Sequence, residues 1–302
     1  MAVKGKIETD RGLDARMFVT GLALVLLYAI IVTVMIRLGV STVFVIVIAG
    51  ALLFSQYYFS DKIAMFSMRA REVTPQEEPK LHEIVDRLCL LADMKKPRVG
   101  VAEIDVPNAF ATGRSPSHAV ICATRGLMGR LSDEELEAVL AHELSHVAHR
   151  DVAVMTIASG VGMLAGLVGR MALWGAMLSG GERNSNNNNT ALLEVATWLI
   201  SIVIYIIAYL LTMSLSRARE LSADRSGAIL IGKPSVLASA LVHITGEMGK
   251  IPRTDLRHAE AMNAFFFAPA LASGSAASLF STHPSLEKRL DQLNKLEREL
   301  NG

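Results

Sequence analysis

The amino-acid sequence predicts a mostly α-helical, membrane-anchored chain whose soluble part holds one small β-sheet. Three observations lead there. The 302 residues are 51% hydrophobic and 20% charged, too apolar for an ordinary soluble protein and too charged for one lying wholly in lipid. The apolar residues gather into four long uncharged runs that fall naturally into two hairpins. Elsewhere the chain shows helical periodicity, with a few short strand-like stretches.

Residues 17–36 and 38–60 are free of charge and separated by Arg37 alone. A bilayer core takes roughly 20 apolar residues as helix, so each run can cross it, joined by a tight turn near "RLGVS". The first run is too long for a cleaved signal peptide, and no small-x-small site leads from it into polar sequence. Residues 195–216, "VATWLISIVIYIIAYLLTMSLS", are another strong candidate. The Gly- and Ala-rich run 152–169, continued past Arg170 to residue 181, is weaker. A buried soluble hairpin competes with it; if the run inserts, Arg170 can snorkel to the outer interface. The low-complexity segment 182–194, "ERNSNNNNTALLE", joins these last two runs as an outer loop. Lys4, Lys6, Arg11 and Arg16 precede the first run, Lys62, Arg69 and Arg71 follow the second, and Arg217 and Arg219 follow the last. That bias puts the soluble blocks, 61–151 and 217–302, in the cytoplasm.

Within the first block, "PKLHEIVDRLCLLADM" reads as a helix with Leu81, Ile84, Leu88 and Leu91 on one face. "PRVGVAEID" and "SHAVICATR" read as strands, with "VPNAFATGRSPS" a strand and turn between them. Ser132 followed by Glu135 is a capping box, and the helix it opens turns Leu136, Val139, Leu140, Leu144 and Val147 toward a core. In the second block "STHPSLEKRL" opens a helix with Leu286, Leu290 and Leu293 on one face. The stretch 250–281, containing "AMNAFFFAPALASGSAASLF", reads as a flap with an apolar tip. Cys89 and Cys122 read as reduced, buried thiols, and a net charge of +1 gives no reason to expect nucleic acid.

The chemistry centres on "AVLAHELSHVAHRD". His142 and His146 stand at i and i+4, so both imidazoles leave one side of a helix and can ligate one zinc ion. Glu143 has no ligand duty and can serve as general base toward a water that such an ion activates. The motif alone does not exclude ordinary histidines on an amphipathic helix. A hydrolytic site needs a third ligand, and "SLSRARELSADRSGA" offers Glu220, with Asp224 one turn later placed to orient a ligand histidine. The competing reading pairs both acids with Arg217, Arg219 and Arg225 on a solvated face. For Glu220 to meet the histidines, the chain must cross the membrane an even number of times between them, and the two intervening runs supply two crossings or none. If the helices continue, the metal lies within roughly 10 Å of the membrane edge. That place suits substrates that are themselves membrane proteins.

"NAFATG", "AHELSHVAHRD", "SRARELSAD" and "STHPSLEKRL" occur here in an order and spacing that resembles the HtpX-like membrane zinc endopeptidases, relatives of the CAAX prenyl proteases. The likeness implies a zincin-like metalloprotease domain binding one Zn2+ per chain through His142, His146 and Glu220, with Glu143 as the catalytic glutamate. It also implies cleavage of damaged or misassembled membrane and unfolded proteins at a bacterial plasma membrane, in envelope stress control. Leu221 stands where the family often has an aromatic residue, and Ser285 where a second proline is common; neither is a ligand. In "NAFATG", the backbone of Asn108, Ala109 and Phe110 is placed to pair with an extended substrate. His283 is a candidate donor to the oxyanion, and Arg289 a candidate support for it or for the metal site. Three alternatives fit less well. A CAAX-type peptidase needs a chamber of more spans, a structural-zinc scaffold four protein ligands, and a transporter ionisable residues inside the spans.

Overall fold

Uncharged apolar stretches offer the backbone few side-chain partners, and they run as helices that satisfy their own N–H and C=O groups. The computed structural model describes residues 11–37, 42–149, 166, 170, 188–248 and 283–301. The elements are α1 (Arg11–Arg37), α2 (Thr42–Tyr58), α3 (Ser60–Ser67), β1 (Ala70–Glu72), α4 (Pro79–Ala92), β2 (Arg98–Ala102), β3 (Ala109–Thr112), β4 (Val120–Thr124), α5 (Arg125–Arg130), α6 (Asp133–Ala148), α7 (Asn188–Ile231), α8 (Pro234–Met248) and α9 (Leu286–Asn301). The chain is therefore mostly helical with one small sheet, as its composition and periodicity predict. It divides into two compact units, one built mainly from Tyr58–Ala153 and Ser216–Gly302, the other from Ala15–Tyr57 and Val154–Leu215.

In the second unit α1 meets the first part of α7 through Leu24, Ile31, Ile204 and Ala208. The outward faces of both helices are apolar: Phe18, Val19 and Leu22 on α1, Val195, Leu199 and Val203 on α7 are all exposed. The segments Arg11–Thr33 and Val195–Ile231 are long and apolar enough to cross a membrane by length and composition. The run expected at 152–181 lies outside the described residues apart from Gly166 and Arg170, and so does the flap expected at 250–281. Helix α7 begins at Asn188, inside the segment read as a polar loop over 182–194. Asn is well tolerated at a helix start, which moves the loop's end back by half its length.

The other unit is built on a mixed sheet of order β1-β2-β4-β3. β1 lies antiparallel to β2, β2 parallel to β4, and β3 antiparallel to β4 with Phe110 opposite Cys122. Among the described residues this leaves β3 as an edge. β1 has no counterpart in the sequence reading, because its three residues are too few to show alternation and Arg71 and Glu72 are exposed. Thr124 fixes the far side of the β3 edge. Its Oγ1 accepts the Asn108 N–H at 2.9 Å, and its N–H donates to Asn108 O at 2.9 Å.

One core joins Leu81, Ile84, Val85 and Leu88 of α4 to Val99, Val101, Ile121 and Ala123 of the sheet, and to Leu136, Val139, Leu140 and Leu144 of α6. Leu237 and Leu241 of α8 and Leu293 and Leu296 of α9 close it. Each large aliphatic side chain so buried contributes about 1.5–3 kcal/mol. Leu91 departs from expectation and faces solvent. At 3.6 residues per turn it comes round about 80° off the face of Leu81, whereas Ala92 returns to it and is buried. Cys89 and Cys122 are free and buried, and burial pushes the Cys89 thiol up to about 11.

Candidate active site

The capping box forms as the sequence predicts: Ser132 Oγ accepts the Glu135 N–H at 3.3 Å, and Glu135 Oε2 accepts the Ser132 N–H at 3.1 Å. Two of the four orphan donors at the start of α6 are thereby satisfied, which sets the register of everything after it. That register faces Leu136, Val139, Leu140 and Leu144 into the core and lays His142, Glu143 and His146 beside one another, all buried. The two imidazoles lie edge-on, with ring centroids 4.8 Å apart.

Helix α7 completes the group. Glu220, Asp224 and Gly227 follow one another at helical spacing, so all three share a face. A Cβ at Gly227 would stand 2.8 Å from His142 N and 2.9 Å from its Cα, closer than real contacts allow. Glycine alone lets the α7 backbone come this near to α6, and the close approach carries the two acids to the histidines. Glu220 Oε1 then lies 3.4 Å from His146 Nε2, and Glu220 Oε2 lies 3.6 Å from His142 Nε2. Asp224 Oδ1 stands 2.9 Å from His142 Nδ1, which turns Nε2 toward Glu220. Neither acid belongs to a solvated face; both are buried.

Helix α9 supplies the outer partners. His283, just ahead of it, places Nδ1 3.0 Å from Glu220 Oε2. Arg289 is only 2% exposed and grips Asp224 with two bonds, Nε to Oδ2 at 2.7 Å and Nη2 to Oδ1 at 2.6 Å. Its Nη1 lies 3.9 Å from Glu220 Oε2. Burial opposes the Arg289 charge, but Asp224 outweighs burial and holds the pKa above its ordinary value. Sequence reasoning put Leu290 on the inner face of this helix; Leu290 is half-buried, and the inner line runs Arg289, Leu293, Leu296.

The ligand atoms of His142, His146 and Glu220 lie within 4.8 Å of one another. Donors arranged tetrahedrally at about 2.0–2.1 Å from a zinc ion stand about 3.3–3.4 Å apart, so the two histidine–carboxylate distances suit such an ion. Two neutral imidazoles and one carboxylate, with a position left over, are also the donor chemistry of a hydrolytic zinc site. Glu143 stands beside this set. Burial pushes its carboxyl above the ordinary value, Glu220 adds to the shift, and His142 and His146 oppose it. Its Oε2 accepts the backbone N–H of Ala111 at 3.0 Å. The edge strand β3 therefore touches the candidate base directly.

Of the three residues expected to pair with substrate, Asn108 has both backbone groups bonded to Thr124. Antiparallel alternation turns Phe110 to β4 as well, leaving Ala109 and Ala111 facing outward from the edge. Ala111 and Gly227 escaped the sequence reading. Ala111 acts through its backbone and leaves no side-chain signal. Gly227 did leave one, a glycine in a helix interior three residues past Asp224, where it costs about 1 kcal/mol without a packing reason.

The family model described as Peptidase family M48 matches residues 75–297. The chain is 50% identical over 299 residues to Protease HtpX homolog 1 of Streptomyces coelicolor, covering 99% of this chain and 97% of that protein. It is 48% identical over 299 residues to Protease HtpX homolog of Moorella thermoacetica, covering 99% of each. In three dimensions it resembles the crystal structure of S. mikatae Ste24p with a TM-score of 0.53 at 15% identity, covering 93% of this chain and 67% of that one.

Proposed function

The chain belongs to peptidase family M48, and from that premise we propose that it is a zinc-dependent, multi-pass membrane endopeptidase. Its substrates in this reading are misfolded or damaged membrane proteins, cleaved at the cytoplasmic face of the plasma membrane as part of envelope quality control. Two helices among the described residues, long and apolar enough to cross a bilayer, support the membrane setting. The positive residues flanking the runs support the orientation. The observation that carries the catalytic reading is Glu143, buried beside three gathered donor groups and bonded to the edge strand.

Zinc held by His142, His146 and Glu220 would polarise the scissile carbonyl and make water a stronger acid. Glu143 takes a proton from the attacking water on its carboxylate and returns it to the leaving amine. Asp224 accepts from His142 Nδ1 and fixes the tautomer that leaves Nε2 for the ion. Arg289 keeps Asp224 ionised and in place. His283 orients Glu220 through Nδ1, so an oxyanion contact from this residue would have to come through Nε2. Ala109 and Ala111 offer the substrate backbone a strand to pair with, and Ala111 brings that strand within reach of the base.

Purified Glu143→Gln and wild-type protein in detergent test this reading through zinc content and cleavage of unfolded casein. We expect one zinc in each and cleavage lowered at least about 100-fold in the variant. Equal zinc with no cleavage by wild type of casein or membrane substrates would favour a structural-zinc scaffold.

A further inference from the structure

A single residue, Phe59, separates helix α3 from the end of α2, and the two faces of α3 differ in kind. Asp61, Ala64 and Met68 turn inward, where Ala64 and Met68 join Phe110, Val120 and Cys122 in a small core and Asp61 pairs with Arg98 at 2.5 Å. On the opposite face Phe59, Ile63 and Phe66 fall at i, i+4 and i+7 and are 39%, 48% and 87% exposed. Lys62 lies on the same face with its Nζ 5.6 Å from the Phe59 ring centre. Arg114, from the turn after β3, sets its guanidinium 4.3 Å from the Tyr58 ring centre. Arg69, just past the helix, is exposed too, while the helix's acid is spent on Arg98. A soluble surface rarely presents a phenylalanine as open as Phe66 within an apolar stripe.

We infer that α3 is an interfacial helix whose Phe59–Ile63–Phe66 face lies in the headgroup and acyl boundary of an anionic bilayer. The inference rests on the proposed membrane reading of α2. Three features select lipid over a protein partner. The stripe continues in sequence from an uncharged helix that ends in Tyr57 and Tyr58, the residue type that settles at membrane interfaces. The charges around it are basic, suiting anionic headgroups. Lys62 and Arg114 hold their cationic heads over the Phe59 and Tyr58 rings, so positive charge and aromatic surface share the one face, as at a headgroup boundary. Because α3 shares a core with Phe110 of β3, holding α3 at the lipid surface also holds the substrate edge there, so the helix would favour membrane-tethered substrates.

The test places spin labels singly at Phe66→Cys, Val47→Cys in α2 and Glu83→Cys on the exposed side of α4, in full-length protein in phosphatidylcholine–phosphatidylglycerol nanodiscs. The native cysteines are buried. Relaxation by oxygen and by a water-soluble nickel chelate separates lipid from water. Labels at 47 and 66 that both favour oxygen, with 83 favouring nickel, support the inference. Oxygen at 47 with nickel at 66 overturns it while the membrane reading stands; nickel at 47 removes that reading and the inference with it. In the same discs Phe66→Glu should lower cleavage of a membrane-tethered substrate about tenfold and leave casein cleavage unchanged, with Phe66→Leu restoring most of the loss. Equal loss on both substrates would show a structural role and overturn the claim about substrate choice.

Discussion

Helix α7 runs unbroken from Asn188 to Ile231, yet its two halves obey opposite rules. Between 195 and 210 the exposed side chains are large and, but for the Tyr205 hydroxyl, apolar: Val195, Leu199, Ile200, Val203, Tyr205, Ile206, Ile207 and Leu210. Between 216 and 226 the buried ones are polar or charged apart from two alanines, Ala218 and Ala223: Ser216, Glu220, Ser222, Asp224 and Ser226. Propensity does not separate the halves, since both are helix. What separates them is the medium each meets. Exposed apolar side chains are stable in hydrocarbon and costly in water, while buried acids are stable only where cations, imidazoles or a metal compensate them. One element thus joins a stretch apolar enough to cross a membrane to one that carries half of the candidate active site.

The comparison can be tested from its strongest consequence down. Glu220→Gln removes the only carboxylate of the donor set, so bound zinc and casein cleavage should both fall at least about 100-fold, beyond the loss typical of a residue that only orients a ligand. Metal analysis that finds full zinc occupancy would sink the assignment of Glu220. Next comes Arg289→Met, which leaves Asp224 buried without its guanidinium. Thermal unfolding should report a loss of about 3–5 kcal/mol, and pairing it with Asp224→Asn should recover part of that. On the anchoring half, Val203→Lys puts a charge on an outward apolar face. In lipid this costs about 2.5–3.5 kcal/mol and should reduce membrane insertion, while Val203→Ala changes little. A lysine tolerated there without effect would show that this face meets water, and the contrast between the halves would collapse. The smallest effect is expected from Gly227→Ala. The added methyl must push α7 off the His142 backbone, costing about 1–3 kcal/mol and loosening zinc without removing a donor.

Much of the fold was legible because its signals are local. The capping box at Ser132 and Glu135 announces the start of α6, and the spacing of His142 and His146 then follows from helical geometry. β2 and β4 stood out as short apolar strands between turns. β1 did not, since three residues cannot show a period. Leu91 misled because an apolar residue near the right spacing looks like core until the helix phase is carried ten residues along. Arg289 was assigned support without a partner; that its partner is Asp224, in two bonds on the buried side of α9, depends on packing between helices far apart in sequence.

By itself the sequence carried the motifs of the family, the HELSH helix with its two histidines and adjacent glutamate, the long apolar runs, and Glu220 as the candidate third donor. The helix and the apolar runs follow from periodicity, charge and spacing among neighbouring residues, while the family likeness and Glu220 rest on several motifs standing in order along the chain. Tertiary structure decided that Glu220 meets both histidines at 3.4–3.6 Å, that β3 is an edge, and that the Ala111 N–H reaches Glu143. It also decided that a missing side chain at Gly227 sets the approach of α7 to α6. Such facts arise where distant segments touch, and backbone groups and an absent Cβ have no pattern of their own along the chain.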